Sequence, residues 1–238
     1  MDLPGYTTLT RQSGLMQEMQ AVANNIANAA TTGFRREGVI FSEFVRRMDD
    51  DSPSLSMAAA RGRQTFQTQG VHAPTGGDFD LAIEGEGFFL IETPAGERLT
   101  RAGNFIPNAA GELVTPDGFR LLDAGGAPVF IPPDARGVAI SPDGTVSADG
   151  QPLTQIGLML PEDPLTARRG AGTLFEVDGP MIPVEAPRMM QGFLEGSNVD
   201  PITEIARMIA VQRAYELGQS FLEAEDGRQR NVIDTLGS

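Results

Sequence analysis

Residues 23–34 read ANNIANAATTGF, and the fold turns on how that stretch is understood. Upstream of it, Leu9, Met16, Ala23 and Ala30 recur every seventh residue, with Met19 and Ile26 between them and Leu15, Val22 and Ala29 alongside. An apolar stripe with a period of about 3.5 residues belongs to a helix that packs against another helix. Thr31-Thr32-Gly33 closes the pattern with two poor helix formers and a glycine suited to the left-handed C′ position. Asn24, Asn25 and Asn28 fall largely off the stripe, where a solvated helix favours Glu, Lys or Arg. Small amides let a second surface approach closely, each donating and accepting across the contact. The competing reading is solvated asparagine in a mediocre helix.

The other end of the chain raises the same question. Asp200-Pro201 is an N-cap followed by proline at the first helical position. Met208, Tyr215, Leu222 and Leu236 fall on one seven-residue series, interrupted at Gln229 and flanked by Ile205, Val211, Val232 and Ile233. Gly218 and Gly227 each cost this helix about 1 kcal/mol relative to alanine. Such a helix needs a partner surface, and the head and tail of the chain are the obvious partners for each other.

Between them the pattern changes. Fifteen of the 17 prolines lie from Pro53 to Pro187, and only Pro4 and Pro201, each near a helix start, lie outside. Short apolar runs such as LAI (81–83), FFLI (88–91), VAI (138–140) and IGLML (156–160) alternate with Pro-Asp-Gly, Asp-Gly and Gly-Gly turns. That is antiparallel hairpin chemistry. Ile40, Phe41, Phe44, Val45 and Met48 form either a short amphipathic element or an extended one, and Arg46–Thr75 reads as a connector. The expected class is α+β. An N-terminal helix (1–35) and a C-terminal helix (191–238) pair in coiled-coil fashion. A connector (36–78) leads to a central antiparallel β-domain (79–190), a small sandwich or barrel.

Composition narrows the function. The net charge is −14, and all 18 basic residues are arginine. Residues 1–47 hold five Arg against four acids, 48–192 nine against twenty, and 193–238 four against eight. An acidic chain of this kind is a poor candidate for binding nucleic acid, since phosphate contacts need a basic face. There is no cysteine and one histidine, His72, so thiolate and His-rich metal sites are excluded. No window approaches the roughly 18 apolar residues of a membrane span, and MDLPGYTTLTRQSG lacks the regions of a secretory signal. Taken alone, that points to the cytoplasm. Glu84 and Glu86 in IEGEGFF are the one carboxylate pair worth weighing for glycosidase chemistry, against solvated strand-edge residues as the commoner outcome. Asp143, Thr145 and Asp149 alternate like oxygen ligands but lack a following Glu, and read as turn residues.

Three stretches carry a resemblance. ANNIANAATTGFRRE (23–37) resembles the N-terminal signature of the flagellar axial proteins, the rod and hook subunits of the bacterial flagellum. DLAIEGEGFFLIETPAGERLTRAGNF (80–105) is similar to the start of their shared β-domain, and LEGSNVDPITEIARMIAVQRAYE (194–216) to their C-terminal signature. The order matches, and the likeness spans essentially the whole chain. Its length, short connector and tail FLEAEDGRQRNVIDTLGS look most like the proximal-rod members, with distal-rod and hook subunits as alternatives. Two departures stand out: the family commonly has another polar residue near Ala30 and Lys where Arg35 stands.

The resemblance implies a non-enzymatic structural subunit without a cofactor, which transmits torque and contributes to a hollow rod in the periplasmic space. It implies paired terminal helices around the axis, an outward β-domain, and other proximal- and distal-rod subunits as partners, with no nucleic acid and no membrane insertion. Export runs through the flagellar type III apparatus without signal cleavage, which replaces the cytoplasmic reading. The implied assembly surface comprises Leu9, Met16, Asn24, Asn25, Ile26 and Asn28 on the first helix. On the second it comprises Ile205, Met208, Val211, Tyr215 and Leu222. Phe41 and Val45 in FSEFV are similar to an export-gate recognition element. Two readings of other classes stand beside it: a secreted carbohydrate-active enzyme using Glu84 and Glu86, and a binding module with helical dimerisation arms.

Overall fold

In the computed structural model the backbone is described for residues 3–46 and 55–236, and side chains for residues 8–42, 60, 62–232, 234 and 235. The chain divides into two compact units. Met1–Ala29, Arg36–Phe66 and Val199–Ser238 make the first; Ala30–Arg35 and Gln67–Asn198 make the second.

The first unit holds two helices, α1 (Leu3–Ala27) and α2 (Pro201–Leu236), and two strands, β1 (Glu37–Arg46) and β2 (Leu55–Thr65). The strands pair antiparallel from Glu37 opposite Thr65 to Arg46 opposite Leu55, with a bulge between Ile40 and Phe41. Much of the stretch read as a connector over 36–78 is therefore a ladder. The sequence of β2, LSMAAARGRQT, has little β-branched or aromatic content. Its extended form rests on pairing with β1 and packing against α1, which local propensity does not report. Gly14 permits part of that packing: a Cβ there would stand 2.7 Å from Cε1 of Phe41.

Helix α1 packs on both the hairpin and α2. Leu15 and Val22 are buried, whereas Leu9 and Met16 of the seven-residue series are 56 % and 42 % exposed, and Ala23 and Ala30 are exposed as well. The flanking series thus faces inward and the primary series outward. One position along a helix rotates the side chain by about 100°, so adjacent apolar series serve different surfaces. Helix α2 starts where the Asp-Pro signal places it. Asp200 accepts from the Ile202 amide at 3.0 Å and from Thr203 Oγ1 at 2.7 Å. The Thr203 and Ile202 hydrogen bonds hold its carboxyl below the usual aspartate range. Of the segment assigned to the tail helix from 191, Gln191 and Phe193–Glu195 lie instead in strands Met189–Gln191 and Phe193–Glu195.

The second unit is antiparallel throughout. Its largest sheet runs in the order Ala167–Arg169, Leu174–Val177, Gly96–Thr100, Phe88–Thr93, Arg120–Leu121, Leu113–Val114, Ile106–Pro107. Leu158–Pro161 also pairs with Phe88–Thr93, and with Met181–Pro183. Smaller ladders join Val138–Ile140, Thr145–Ala148 and Gln151–Gln155, Leu81–Ile83 with Met189–Gln191, and His72–Pro74 with Phe193–Glu195. The run FFLI lacks polar alternation because both faces of its strand are covered. Phe89 and Ile91 enter one core with Leu81, Phe105 and Leu121; Phe88 and Leu90 enter another with Leu99, Leu122 and Phe175. Ring pairs anchor each side, Phe89 edge-on to Phe105 at 5.2 Å and Phe88 tilted against Phe175 at 5.3 Å.

Candidate functional site

Among the described residues no group of His, Asp and Glu is placed to hold a metal ion. Glu84 and Glu86 are both exposed, and Glu84 pairs loosely with Arg188 at 3.9 Å. Asp143 accepts from the amide and Oγ1 of Thr145, each at 3.0 Å, and Asp149 accepts from the amides of Arg136 and Gly137, so both are occupied by turns. His72 Nε2 lies 3.1 Å from the Ile83 carbonyl. The organised polar chemistry of the molecule is elsewhere.

In the first unit, α1, β1 and α2 meet in a buried clasp around Asn25. Its Nδ2 donates to the Glu37 carbonyl at 2.8 Å and to Glu204 Oε2 at 3.1 Å, while its Oδ1 accepts from the Glu37 amide at 2.9 Å. All three polar positions of the amide that a strand edge and a helix can reach are used. Glu204, 1 % exposed in the first turn of α2, is held by Arg36 Nη1 at 2.9 Å. Glu37 receives Asn24 Nδ2 at 3.4 Å and faces Arg63 at 3.8 Å. Two carboxylates thus meet two guanidiniums. Arg36 also lies over the Phe66 ring at 4.0 Å, and Arg207 pairs with Glu18 at 2.8 Å further along the helix pair. Asn28 folds back, donating to the Asn24 carbonyl and Oδ1.

The outer face is apolar. Besides Leu9 and Met16, α2 presents Ile202 and Leu217, at 80 % and 73 % exposed, with Ile205, Ile209, Phe221 and Val232. Of the sequence-predicted assembly residues, Leu9, Met16 and Ile205 are exposed. Asn24, Ile26, Asn28, Met208, Tyr215 and Leu222 are half-buried, and Asn25 and Val211 are buried. The second surface that Asn25 was expected to meet is part of the same chain. Phe41 is exposed on β1; the side chain of Val45 lies outside the described residues.

The second unit has its own ionic centre. Glu195, fully buried, meets Arg35 Nη1 at 2.6 Å and Arg101 Nη2 at 2.9 Å. Arg101 also donates to the carbonyls of Gly87 at 2.6 Å and Gly85 at 2.9 Å; Arg35 donates to the Thr68 carbonyl at 2.6 Å. Burial lowers the pKa of Arg101 to about 10 and lowers that of Arg35, with Glu195 opposing both. Gly33 makes the approach possible. Its φ is +68°, its amide donates to the Glu195 carbonyl at 2.8 Å, and a Cβ would lie 2.4 Å from the Arg101 carbonyl carbon. Arg36, Glu37 and Glu204 of the clasp, and Arg35, Arg101 and Glu195 here, were not singled out from sequence as site residues. Their one signal is that isolated charges sit inside the three signature stretches.

Comparison with known proteins matches those stretches. A model described as "Flagella basal body rod protein" matches residues 6–35, one described as "Flagellar hook protein FlgE/F/G D1 domain" matches 82–148, and one described as "Flagellar basal body rod FlgEFG protein C-terminal" matches 190–235. The chain is 38 % identical to the flagellar basal-body rod protein FlgF of Caulobacter vibrioides, covering 100 % of this chain and 99 % of the relative. It is 33 % identical to FlgF of Rhizobium meliloti, over 98 % and 97 %. FlgG of Bacillus subtilis is 28 % identical over 96 % and 97 %.

Proposed function

The chain belongs to the flagellar basal-body rod protein family and is a structural subunit of the rod, and we propose that it is a proximal-rod subunit of the FlgF kind. It assembles with neighbouring rod subunits through its terminal helices, transmits torque and contributes to the wall of the export channel, without catalysis. One observation carries this reading: the seven-residue apolar series on α1 and the exposed apolar residues of α2 are left uncovered by the subunit's own core. Leu9, Met16 and Ile205 are the first assembly contacts in this reading. The half-buried Ile26, Met208, Tyr215 and Leu222 complete a coiled-coil-like layer once neighbours pack on. Asn24 and Asn28 border that layer. Asn25 and Val211 act from inside, holding the helix pair in the shape that neighbours meet.

The clasp supports the same reading, since it gives two long helices a defined mutual register before any neighbour is present. The burial of residues 88–91 on both faces of their strand supports a small sandwich for the β-domain. Export through the flagellar type III apparatus, without a cleaved signal, with Phe41 and Val45 as the recognised element, completes the proposal and places the subunit in the periplasmic rod.

The test is Leu217→Glu with Ile205→Glu in a strain whose own copy is deleted. Because both side chains are exposed, each substitution shifts stability by about 0.5 kcal/mol or less and the purified double variant stays within about 1 kcal/mol of wild type. Basal bodies purified from that strain lack the subunit, and the cells do not swim. Normal incorporation of the double variant would rule out this helix surface as the assembly contact.

A further inference from the structure

The ionic centre of the second unit is unbalanced. Arg35 and Arg101 share the single buried carboxylate of Glu195, whereas the clasp of the first unit matches two acids with two arginines. Arg35 is 2 % exposed, and its Nε–H has no acceptor among the described residues. Both arginines line a cavity of about 250 Å³ whose other walls include Phe88, Leu160, Pro161 and Ile182. A buried guanidinium with an unmade hydrogen bond, beside an apolar-walled space, calls for an anionic acceptor.

The charge and the size specify it further. Among the buried groups the excess is one positive charge, which one carboxylate neutralises. Glu86, exposed on the same cavity wall and without an ion-pair partner among the described residues, disfavours a dianion such as phosphate. The space is smaller than the about 300–1,000 Å³ of pockets for drug-sized ligands, and suits one side chain. Copies of this chain carry 32 acidic groups against 18 basic ones, so a neighbouring copy has carboxylates to spare over the chain as a whole.

We propose that this cavity is a docking socket for an Asp or Glu side chain of a neighbouring copy of this subunit, a proposal that rests on the rod-subunit reading above. Arg35 and Arg101 form its cationic floor and the apolar walls exclude water from the pair, which strengthens it. Recognition by a buried arginine fork is directional, so the socket adds register to a contact that the apolar helix faces alone would leave free to slide.

The experiment uses the full purified chain and N-acetylglutamate as probe, with N-acetylglutamine as control at equal ionic strength. The arginine Nε–H resonances are followed by nitrogen-15 NMR. Saturable shifts of Arg35 and Arg101 with the glutamate probe, and binding of the amide about tenfold weaker or less, are expected. Ile182→Trp fills the cavity from its exposed edge without touching an ionic group; it abolishes the shifts while the thermal melt stays unchanged. The absence of saturable shifts in the wild type overturns the proposal, as does equal binding of the two probes. Binding that emerges only in Glu86→Gln also overturns it, because Glu86 would then be the internal counter-ion. In cells, Ile182→Trp subunits are expected to enter basal bodies at a reduced level. Normal entry together with lost probe binding overturns the neighbour as the source of the carboxylate, and identifies a free small acid instead. If wild-type subunits bind the probe but are absent from basal bodies, the rod reading fails while the anion site stands.

Discussion

Replacing Asn25 with alanine removes three hydrogen bonds at once, from the Glu37 carbonyl, the Glu37 amide and Glu204. The backbone groups of Glu37 lose their side-chain partner where no solvent reaches, since Glu37 is 3 % and Asn25 0 % exposed. Glu204 keeps Arg36 but loses its second donor. A buried polar group left unmade costs about 1–3 kcal/mol, and a water entering the vacated space recovers part of it, so a net loss of about 3–5 kcal/mol is expected. The chain has no tryptophan, so urea unfolding is followed by far-ultraviolet circular dichroism and tyrosine fluorescence. A loss below about 1 kcal/mol, the range of ordinary substitutions, would refute the clasp as the element that holds the helix pair. Asn25→Asp sharpens the test. A carboxyl facing Glu204 and the Glu37 carbonyl has a folded-state pKa above its unfolded value of about 3.9, so the folded form binds more protons at intermediate pH. Its destabilisation therefore grows as pH rises and falls, below the unfolded pKa, to the cost of the one donor that a protonated carboxyl lacks relative to the amide. Alanine at the same position carries no such pH dependence.

Three further outcomes follow from the geometry. Gly33→Ala is expected to lose more than the about 1–2 kcal/mol that left-handed backbone alone costs an L residue, because its Cβ meets backbone atoms of Arg101 and Ala102 at 2.4 Å; chemical denaturation measures it. Glu195→Gln strands two buried guanidiniums and is expected to cost about 3–5 kcal/mol by the same assay. Asp200 has a depressed folded-state pKa, so its support of α2 is present above the ordinary aspartate value of 3.8 and is lost as pH falls through the folded value. Asp200→Ala lowers the melting temperature at neutral pH and flattens that acid limb, whereas Asp200→Asn, which keeps the acceptor for the Ile202 amide, leaves the neutral melting temperature nearly unchanged.

Much of this molecule is legible from local chemistry. Asp200-Pro201 marks the start of α2 and the Pro-Asp-Gly turns announce an antiparallel middle, whereas α1 ends at Ala27, short of the Thr31-Thr32-Gly33 signal. Each signal rests on the conformational limits of one to four residues, so it survives without knowledge of the rest of the chain. The candidate surface was half legible. The seven-residue pattern announces a packing face on α1 but does not say which of two neighbouring apolar series the chain itself will cover, and the structure leaves Leu9 and Met16, with Ile205 of α2, outside. The extended alternative for the stretch from Ile40 is the one the structure shows, but its pairing into the hairpin β1–β2 is not legible locally: the partner of each residue lies up to 28 positions away, Glu37 opposite Thr65, and β2 carries little of its own propensity.

By itself, the sequence determined an α+β chain with two amphipathic ends, a turn-rich β middle, no metal chemistry of the thiolate or His-rich kind, and membership of a flagellar family through three stretches. Tertiary structure alone decided what the charged residues inside those stretches do. Asn25 with Glu37 and Glu204, and Arg35 with Arg101 and Glu195, are brought together from as far as 179 positions apart. A charge in a sequence is read as solvated until its surroundings are known. Burial by distant segments raises the cost of leaving it unpaired, and so turns these arginines and glutamates into the two centres that organise the subunit.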